Sequence, residues 1–489
     1  MKFALRQFSL ALFAVLLLVA TGCSTIVTSS RQKLPMMEQF AAGDVAGALA
    51  FAQKKHVSAA GSVDELVWLL ECGSLQFYLG QYEAALDSFR LCEALIEEYD
   101  ERALVSLTDT STEALAVLSN ENALPYRGWC RDRVALGIFK SLAYLGVGKE
   151  EAFRAQVKRL RQEHQKIQED YQKFFDKEQE RVEEEKAKYR EEASKASSSE
   201  YLNDPRNEAF AASVSEMQEV AHRGYGNFLN PVSMFLSALA LMRDGSWDNA
   251  RIEFERLYKA LPNNQYVKQY YATALRRAGR PSPAALLDVQ PFPFPLERNC
   301  VFVLFAHDMC ASFDQMAVYF PLMIAWPVCV YHPAVMPSLT VQADGVDYPV
   351  LPLADMDGIL SQEFGMRLPA RIVRTVTYAL IKEAGYIATM ESMNRSMNDN
   401  ANKGMAMFAT AMAYKTYQAM FNTADTRGWF MLPKEFCVAQ MPMPQDRTLN
   451  FSGLPSASAI QIPEGCGSAI VYVNAMTPAK IQYQVFPLK

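Results

Sequence analysis

The sequence predicts a mixed fold, α with α/β: an all-α repeat half carrying one long charged helix, then an α+β half. Three observations predict it. Glycines, alanines and aromatics recur at matching spacings through residues 66–94 and 234–262. Residues 150–199 are dense in Glu, Lys, Gln and Arg and contain neither Pro nor Gly. Beyond a proline-rich stretch, short β-branched apolar runs replace the helical period. The 489 residues exceed one ordinary domain. We therefore expect a helical region over 36–280, a linker over 281–298 and an α+β domain over 299–489.

The N-terminus comes first. Lys2 and Arg6 form a basic start, and Phe8 to Ala20 is apolar apart from Ser9. Ala20-Thr21-Gly22-Cys23 follows. Small residues leading into a cysteine resemble the bacterial lipobox, with Ala20 where Leu is usual. That resemblance implies a signal peptide over residues 1–22 and a lipidated Cys23 at the mature N-terminus. Ser24, not being Asp, implies sorting to the outer membrane, with the rest of the chain facing the periplasm. Residues 23–35 then read as a lipidated tether. The apolar run is shorter than the ~20 residues needed to span a bilayer. Stable anchoring takes two lipid signals, and three acyl chains exceed that. No later segment reads as a transmembrane helix.

The repeats follow. Phe40 to Ala52 suggests an early helix. Gly73, Gly80, Tyr82, Ala85 and Phe89, with Cys92, fall at the spacing of a tetratricopeptide-like (TPR-like) helix–turn–helix. Gly73 and Ala85 suit close helix approach, Gly80 a helix C-terminus, and Tyr82 and Phe89 an inter-helix groove. A clearer copy holds Ala238, Gly245, Trp247, Ala250, Phe254 and Pro262. Tyr266 to Ala278 extends it, and a degenerate copy covers Arg133 to Leu160. The first half therefore reads as a TPR-like solenoid.

Within 150–200, Val157, Leu160, His164, Ile167, Tyr171 and Phe174 recur at heptad-like intervals, and the phase shifts beyond Glu178. One long helix is expected, with a modest apolar stripe or a coiled-coil contact. Its return is placed at Asn207 to Ala221.

Pro281, Pro283, Pro291, Pro293 and Pro295 mark an extended linker. After it, Cys300–Ala306, Leu322–Val330, Phe436–Gln440, Ser468–Val473 and Lys480–Phe486 read as strands. Asp344-Gly345 joins Leu339–Ala343 to Val346–Val350 in a hairpin. Met356–Phe364, Arg371–Met393 and Gly404–Phe421 read as helices. The last is apolar nearly all round, which calls for burial or an adaptable Met-rich face; we read it as buried.

Asp425-Thr426-Arg427-Gly428-Trp429 through Pro433, with Asp132-Arg133, Tyr144-Leu145-Gly146 and Asn230-Pro231, stands out locally. Together these segments resemble an uncharacterised family of Gram-negative TPR outer-membrane lipoproteins, associated with lipoproteins of the penicillin-binding-protein-activator and curli-secretion type. Asn227 to Pro231 matches that pattern loosely. The resemblance implies envelope assembly or secretion and no defined catalysis. Arg427 and Trp429 become the candidate interaction residues, although an Arg427–Asp425 pair and a packed indole are the plainer reading.

The remaining chemistry is sparse. The net charge of −6 gives no nucleic-acid footprint. The five histidines lack metal spacing, and no nucleotide or hydrolase motif is present. No catalytic residue, cofactor or metal is predicted. His307-Asp308 beside Cys310 reads as a polar loop cluster. Asp355-x-Asp357-Gly358 reads as a helix cap, not a calcium loop. The nine cysteines include Cys23, and the other eight are buried thiols or disulfides. The expected role is a membrane-anchored scaffold binding envelope proteins, another outer-membrane lipoprotein among them. The alternative is binding or processing of peptidoglycan or polysaccharide through the C-terminal half, where Asp344, Asp347, Asp355, Asp357 and Glu363 are the local acids.

Overall fold

The computed structural model describes residues 28–106, 122, 124–188, 203–226, 229–319, 323–396, 400–421, 423–454 and 459–488. Cys23, Ser24, Asn227 and Phe228 lie outside the described residues. The fold is an α+β mix. Helices α1 (Ser29–Ala41), α2 (Val45–Ala59), α3 (Glu65–Tyr78), α4 (Tyr82–Ser106), α5 (Cys130–Gly146) and α6 (Glu150–Lys188) come first. Then come α7 (Glu208–Ala221), α8 (Pro231–Arg243), α9 (Trp247–Ala260) and α10 (Gln265–Arg277).

Four helix pairs share one turn. Gly80 ends α3 at φ 72°, with its amide on the Phe77 carbonyl and the Gln81 amide on the Gln76 carbonyl. These are the two bonds of a Schellman cap, which needs the left-handed region glycine tolerates. The same pair of bonds recurs at Gly43 between α1 and α2, Gly148 between α5 and α6, and Gly245 between α8 and α9. It also closes α10 at Gly279. Gly73 permits the tight packing of α3 on α4: a Cβ there would lie 2.4 Å from the Phe89 ring. Gly146, the last residue of α5, lies against the Tyr82 ring, and Gly148 makes the turn.

Two N-terminal expectations are corrected. The helix expected over 40–52 is two helices, broken at Gly43. The expected tether, residues 23–35, is helical from Ser29 onward. Its polar sequence has no apolar stripe to reveal it. Lys33 is nevertheless fully buried because Glu71 receives its charge.

The expected long helix exists as α6, and residues 189–202 lie outside the described residues. Its stripe, Phe153, Val157, Leu160 and His164, is buried, and His164 Nδ1 meets the Ser233 hydroxyl of α8 at 3.2 Å.

Strands β1 (Cys300–Met309), β2 (Ser312–Tyr319), β3 (Met323–Val330), β4 (Thr340–Ala343), β5 (Val346–Pro349) and β6 (Leu351–Asp355) precede α11 (Met356–Ser396) and α12 (Asn400–Phe421). Strands β7 (Pro433–Pro442), β8 (Thr448–Ser452), β9 (Ala459–Gln461), β10 (Ser468–Ala475) and β11 (Gln482–Leu488) end the chain. The main sheet runs β11-β10-β1-β7-β6, beside a β2-β3 pair and a β5-β4-β8-β9 sheet. Only β1 and β10 are parallel in the main sheet; its other pairs are antiparallel. The Asp344-Gly345 hairpin holds, with Ala343 opposite Val346. Strands β2, β6, β8 and β9 were not read from the sequence.

The apolar core crosses the expected boundary at 281–298. Phe77 of α3 packs on Tyr472 of β10 with ring centroids 5.5 Å apart. Phe235 of α8 packs on Phe302 of β1, and Tyr270 of α10 donates to Gln440 of β7 at 3.0 Å. The proline-rich segment folds back, with Phe292 against Tyr270 and Leu296 buried. One face of the main sheet is thus roofed by the helices of the first half. Both faces of β1 and β10 are covered, so the two strands are buried along almost their whole length.

The two helices expected over 356–364 and 371–393 are one helix, α11, which passes through Pro369. It runs about 61 Å at 1.5 Å per residue. Helix α12 returns along it, with Tyr386 stacked on Tyr414 at 4.1 Å. The reading of α12 as buried is corrected. Met405, Phe408 and Met412 are each more than half exposed, because α11 covers only the other side of α12.

Candidate functional site

Two constellations gather charged groups inside the molecule. The first surrounds residues 423–432, which form neither helix nor strand and are buried from Thr426 onward. A buried backbone must still find partners, and here helix side chains supply them. Trp129 Nε1 donates to the Arg427 carbonyl at 3.1 Å, and Lys33 Nζ to the Gly428 carbonyl at 2.5 Å. The Trp429 amide donates to Asp132 at 3.3 Å, and Arg131 donates to the Trp429 carbonyl at 2.9 Å. Glu71 accepts the amides of Phe430 and Met431 at 2.9 and 3.0 Å, one on each oxygen. The Tyr78 hydroxyl donates to the Met431 carbonyl at 2.8 Å.

The candidate interaction residues lie in this segment. Trp429 is fully buried, between Phe89 and Phe139, and its Nε1 donates to the Ser74 hydroxyl at 3.1 Å. Arg427 is 4% exposed. It holds both Asp425 oxygens at 2.9 Å and reaches the Leu124 carbonyl at 2.8 Å. Burial opposes a charge on Asp425, but the Arg427 guanidinium prevails and holds that carboxyl below its usual range. Both side chains fasten the two halves of the chain together, and neither is offered to a partner. Of the repeat signature, Ala85, Phe89, Ala238, Ala250 and Phe254 are buried, while Tyr82 and Trp247 are partly exposed. Pro262 lies in the turn before α10.

The second constellation lies on the opposite face of the main sheet. His307 near the end of β1 is opposite Glu435 of β7, and Cys437 lies two residues further along the same face. His307 Nε2 is 3.2 Å from a Glu435 oxygen and 3.5 Å from Cys437 Sγ. Its Nδ1 is 2.9 Å from Asp308 Oδ2. Phe305 stacks on the imidazole at 4.8 Å. Asp308 has φ 53°, and its other oxygen accepts the amides of Val335 and Met336. Burial lowers the His307 pKa, but Asp308, Cys437 and Glu435 together raise it to about 11. Burial pushes the Cys437 thiol up, partly offset by His307. Sequence reading placed His307-Asp308 beside Cys310 and missed this set. Cys310 lies elsewhere, 3.6 Å from Arg131.

The local acids do not gather. Asp355 Oδ1 accepts the Gly358 amide at 2.8 Å, the expected cap of α11. Asp357 holds Lys434 at 2.5 Å and the Ala311 amide. Glu363 accepts the Cys130 amide and pairs with Arg367. All eight described cysteines are buried free thiols. Among the described residues, no helix is long and apolar enough to cross a membrane. Compared with protein-family models, curated proteins and solved structures, the chain has no match.

Proposed function

We propose that the chain is a lipid-anchored, periplasm-facing scaffold of the outer membrane, built on TPR-like helical hairpins and engaged in envelope assembly or secretion. The observation that carries it is the repeated hairpin: one Schellman turn closes four helix pairs. The glycines Gly245 and Gly279 lie about 34 residues apart, one repeat length. Such repeats offer grooves to extended chains. Here the helices hold the chain's own residues 427–432 in that manner, so a partner must dock elsewhere. The α11–α12 hairpin supplies a surface. Met405, Phe408 and Met412 form an exposed i, i+3, i+7 stripe, the spacing that receives an apolar helix of another protein. Lipid on Cys23 would hold the chain at the membrane surface.

Two measurements test this. Cys23→Ser moves the protein from the membrane fraction to the soluble periplasm. A photocrosslinker in place of Phe408, in intact cells, gives a discrete adduct with one envelope protein, and Met405→Glu abolishes it. Unchanged fractionation of Cys23→Ser removes the anchor. Adducts with lipid alone, or none, remove the scaffold role of the hairpin.

A further inference from the structure

We propose that His307, Glu435 and Cys437 form a binding site for a zinc-class divalent transition metal, with Asp308 orienting the histidine. The first argument is geometric. Tetrahedral zinc binds nitrogen at about 2.0–2.1 Å, carboxylate oxygen at about 2.0–2.2 Å and sulfur at about 2.3 Å. Those bond lengths require N···O edges of about 3.3–3.5 Å and N···S edges of about 3.6 Å. His307 Nε2 lies 3.2 Å from Glu435 and 3.5 Å from Cys437. The three ligand atoms all lie within 4.8 Å of one another.

The second argument is one of valence. An imidazole nitrogen has a single in-plane lone pair or proton. One N–H or one lone pair on Nε2 cannot point at the Glu435 oxygen and the Cys437 sulfur together. A cation placed among the three atoms serves all of them. The Nδ1 side is already committed to Asp308 at 2.9 Å. That arrangement recurs behind metal-bound histidines, where a carboxylate fixes the tautomer and ring orientation. Asp308 is itself held by two backbone amides, so the support is built and not incidental.

The third argument concerns rigidity and donor type. All three ligands project from β1 and β7, paired in the centre of the main sheet, and Phe305 fixes the ring plane. A nitrogen, oxygen and thiolate set suits zinc and its neighbours, whereas magnesium and calcium prefer oxygen alone. Glu435 is 29% exposed at its side chain, which gives an ion a way in. Three protein ligands leave a fourth position for water, the pattern of a reactive and not a purely structural zinc site.

The test uses the purified full chain, stripped with a chelator and titrated with cobalt(II) chloride, then with zinc chloride. Cobalt is expected to bind one ion per chain, with visible bands of tetrahedral intensity and a thiolate charge-transfer band in the near ultraviolet. Zinc is expected to displace it and to raise the Tm. Cys437→Ser loses the charge-transfer band, whereas Cys466→Ser keeps it. Asp308→Asn weakens affinity about 10- to 100-fold, as loss of a supporting carboxylate does, and Glu435→Gln, which removes a ligand, weakens it at least as much. Glu435 is partly exposed, so its variant reads the site even if Cys437→Ser does not fold. Absence of the cobalt bands, or bands indifferent to Cys437→Ser and Glu435→Gln, would overturn the assignment.

Discussion

Lys33 and Glu71 meet 2.5 Å apart with neither side chain exposed, and both hold the same stretch of backbone, 359 to 395 residues further along the chain. Lys33 binds the Gly428 carbonyl, and Glu71 binds the Phe430 and Met431 amides. Breaking one side of a buried pair leaves an uncompensated charge and costs about 3–5 kcal/mol, whereas removing both together can cost far less. We expect Lys33→Met and Glu71→Gln each to lose stability on that scale. The double variant should lose clearly less than the two combined. Urea denaturation of the four proteins gives the coupling. Additive losses would mean that the two side chains act independently.

Trp429 fills the space between Phe89 and Phe139. Trp429→Ala should destabilise by about 3–5 kcal/mol, through lost burial and the cavity left behind. Trp429→Phe keeps most of the packing and loses the bond to Ser74, so its loss should be smaller. The midpoint of chemical denaturation orders the three proteins. A Phe variant as unstable as the Ala variant would assign the role to the indole N–H.

These contacts explain what the sequence made legible. The repeat helices, the long helix α6, the hairpin at Asp344-Gly345 and the strands β1, β3, β7, β10 and β11 follow from local period and turn chemistry. The repeat glycines Gly80 and Gly245 were readable because a Schellman cap is local. The shared core was not. Nothing local tells that Phe77 meets Tyr472, or that the proline-rich segment packs back on α10. One signal for the first constellation was present: Glu71 sits in the middle of α3, which is apolar nearly all round. A lone carboxylate there demands a partner. Lys33 gave no signal, since its stretch looked like a tether. The second constellation escaped because a metal-type spacing search reads one segment at a time. His307 and Cys437 are joined only by the β1–β7 pairing.

The close approach of α3 and α4 gives a sharper packing test. A Cβ on Gly73 would lie 2.4 Å from the Phe89 ring, well inside contact distance. Gly73→Ala should therefore cost about 1–3 kcal/mol, as overpacking does. Shrinking the ring with Phe89→Leu in the Gly73→Ala background should cost less than Phe89→Leu alone. Thermal melts of the single and double variants decide this, and equal costs in both backgrounds would place the strain elsewhere.

The Asp425–Arg427 pair predicts the acid side of the stability profile. Burial opposes ionisation of Asp425, yet Arg427 holds its folded pKa below the usual value. An unfolded aspartate titrates near 3.9. A carboxylate depressed on folding binds fewer protons folded than unfolded, so stability rises with pH through the interval between the two values. Its contribution is thus present above about pH 4 and is lost as pH falls through the folded value. Asp425→Asn removes that contribution while leaving Arg427 its bond to the Leu124 carbonyl. The Tm gap between the native protein and the variant should be widest near neutrality and should narrow below about pH 4. Parallel Tm curves from pH 7 down to acid would show that the Arg427 contact sets geometry alone, with no protonation linked to folding.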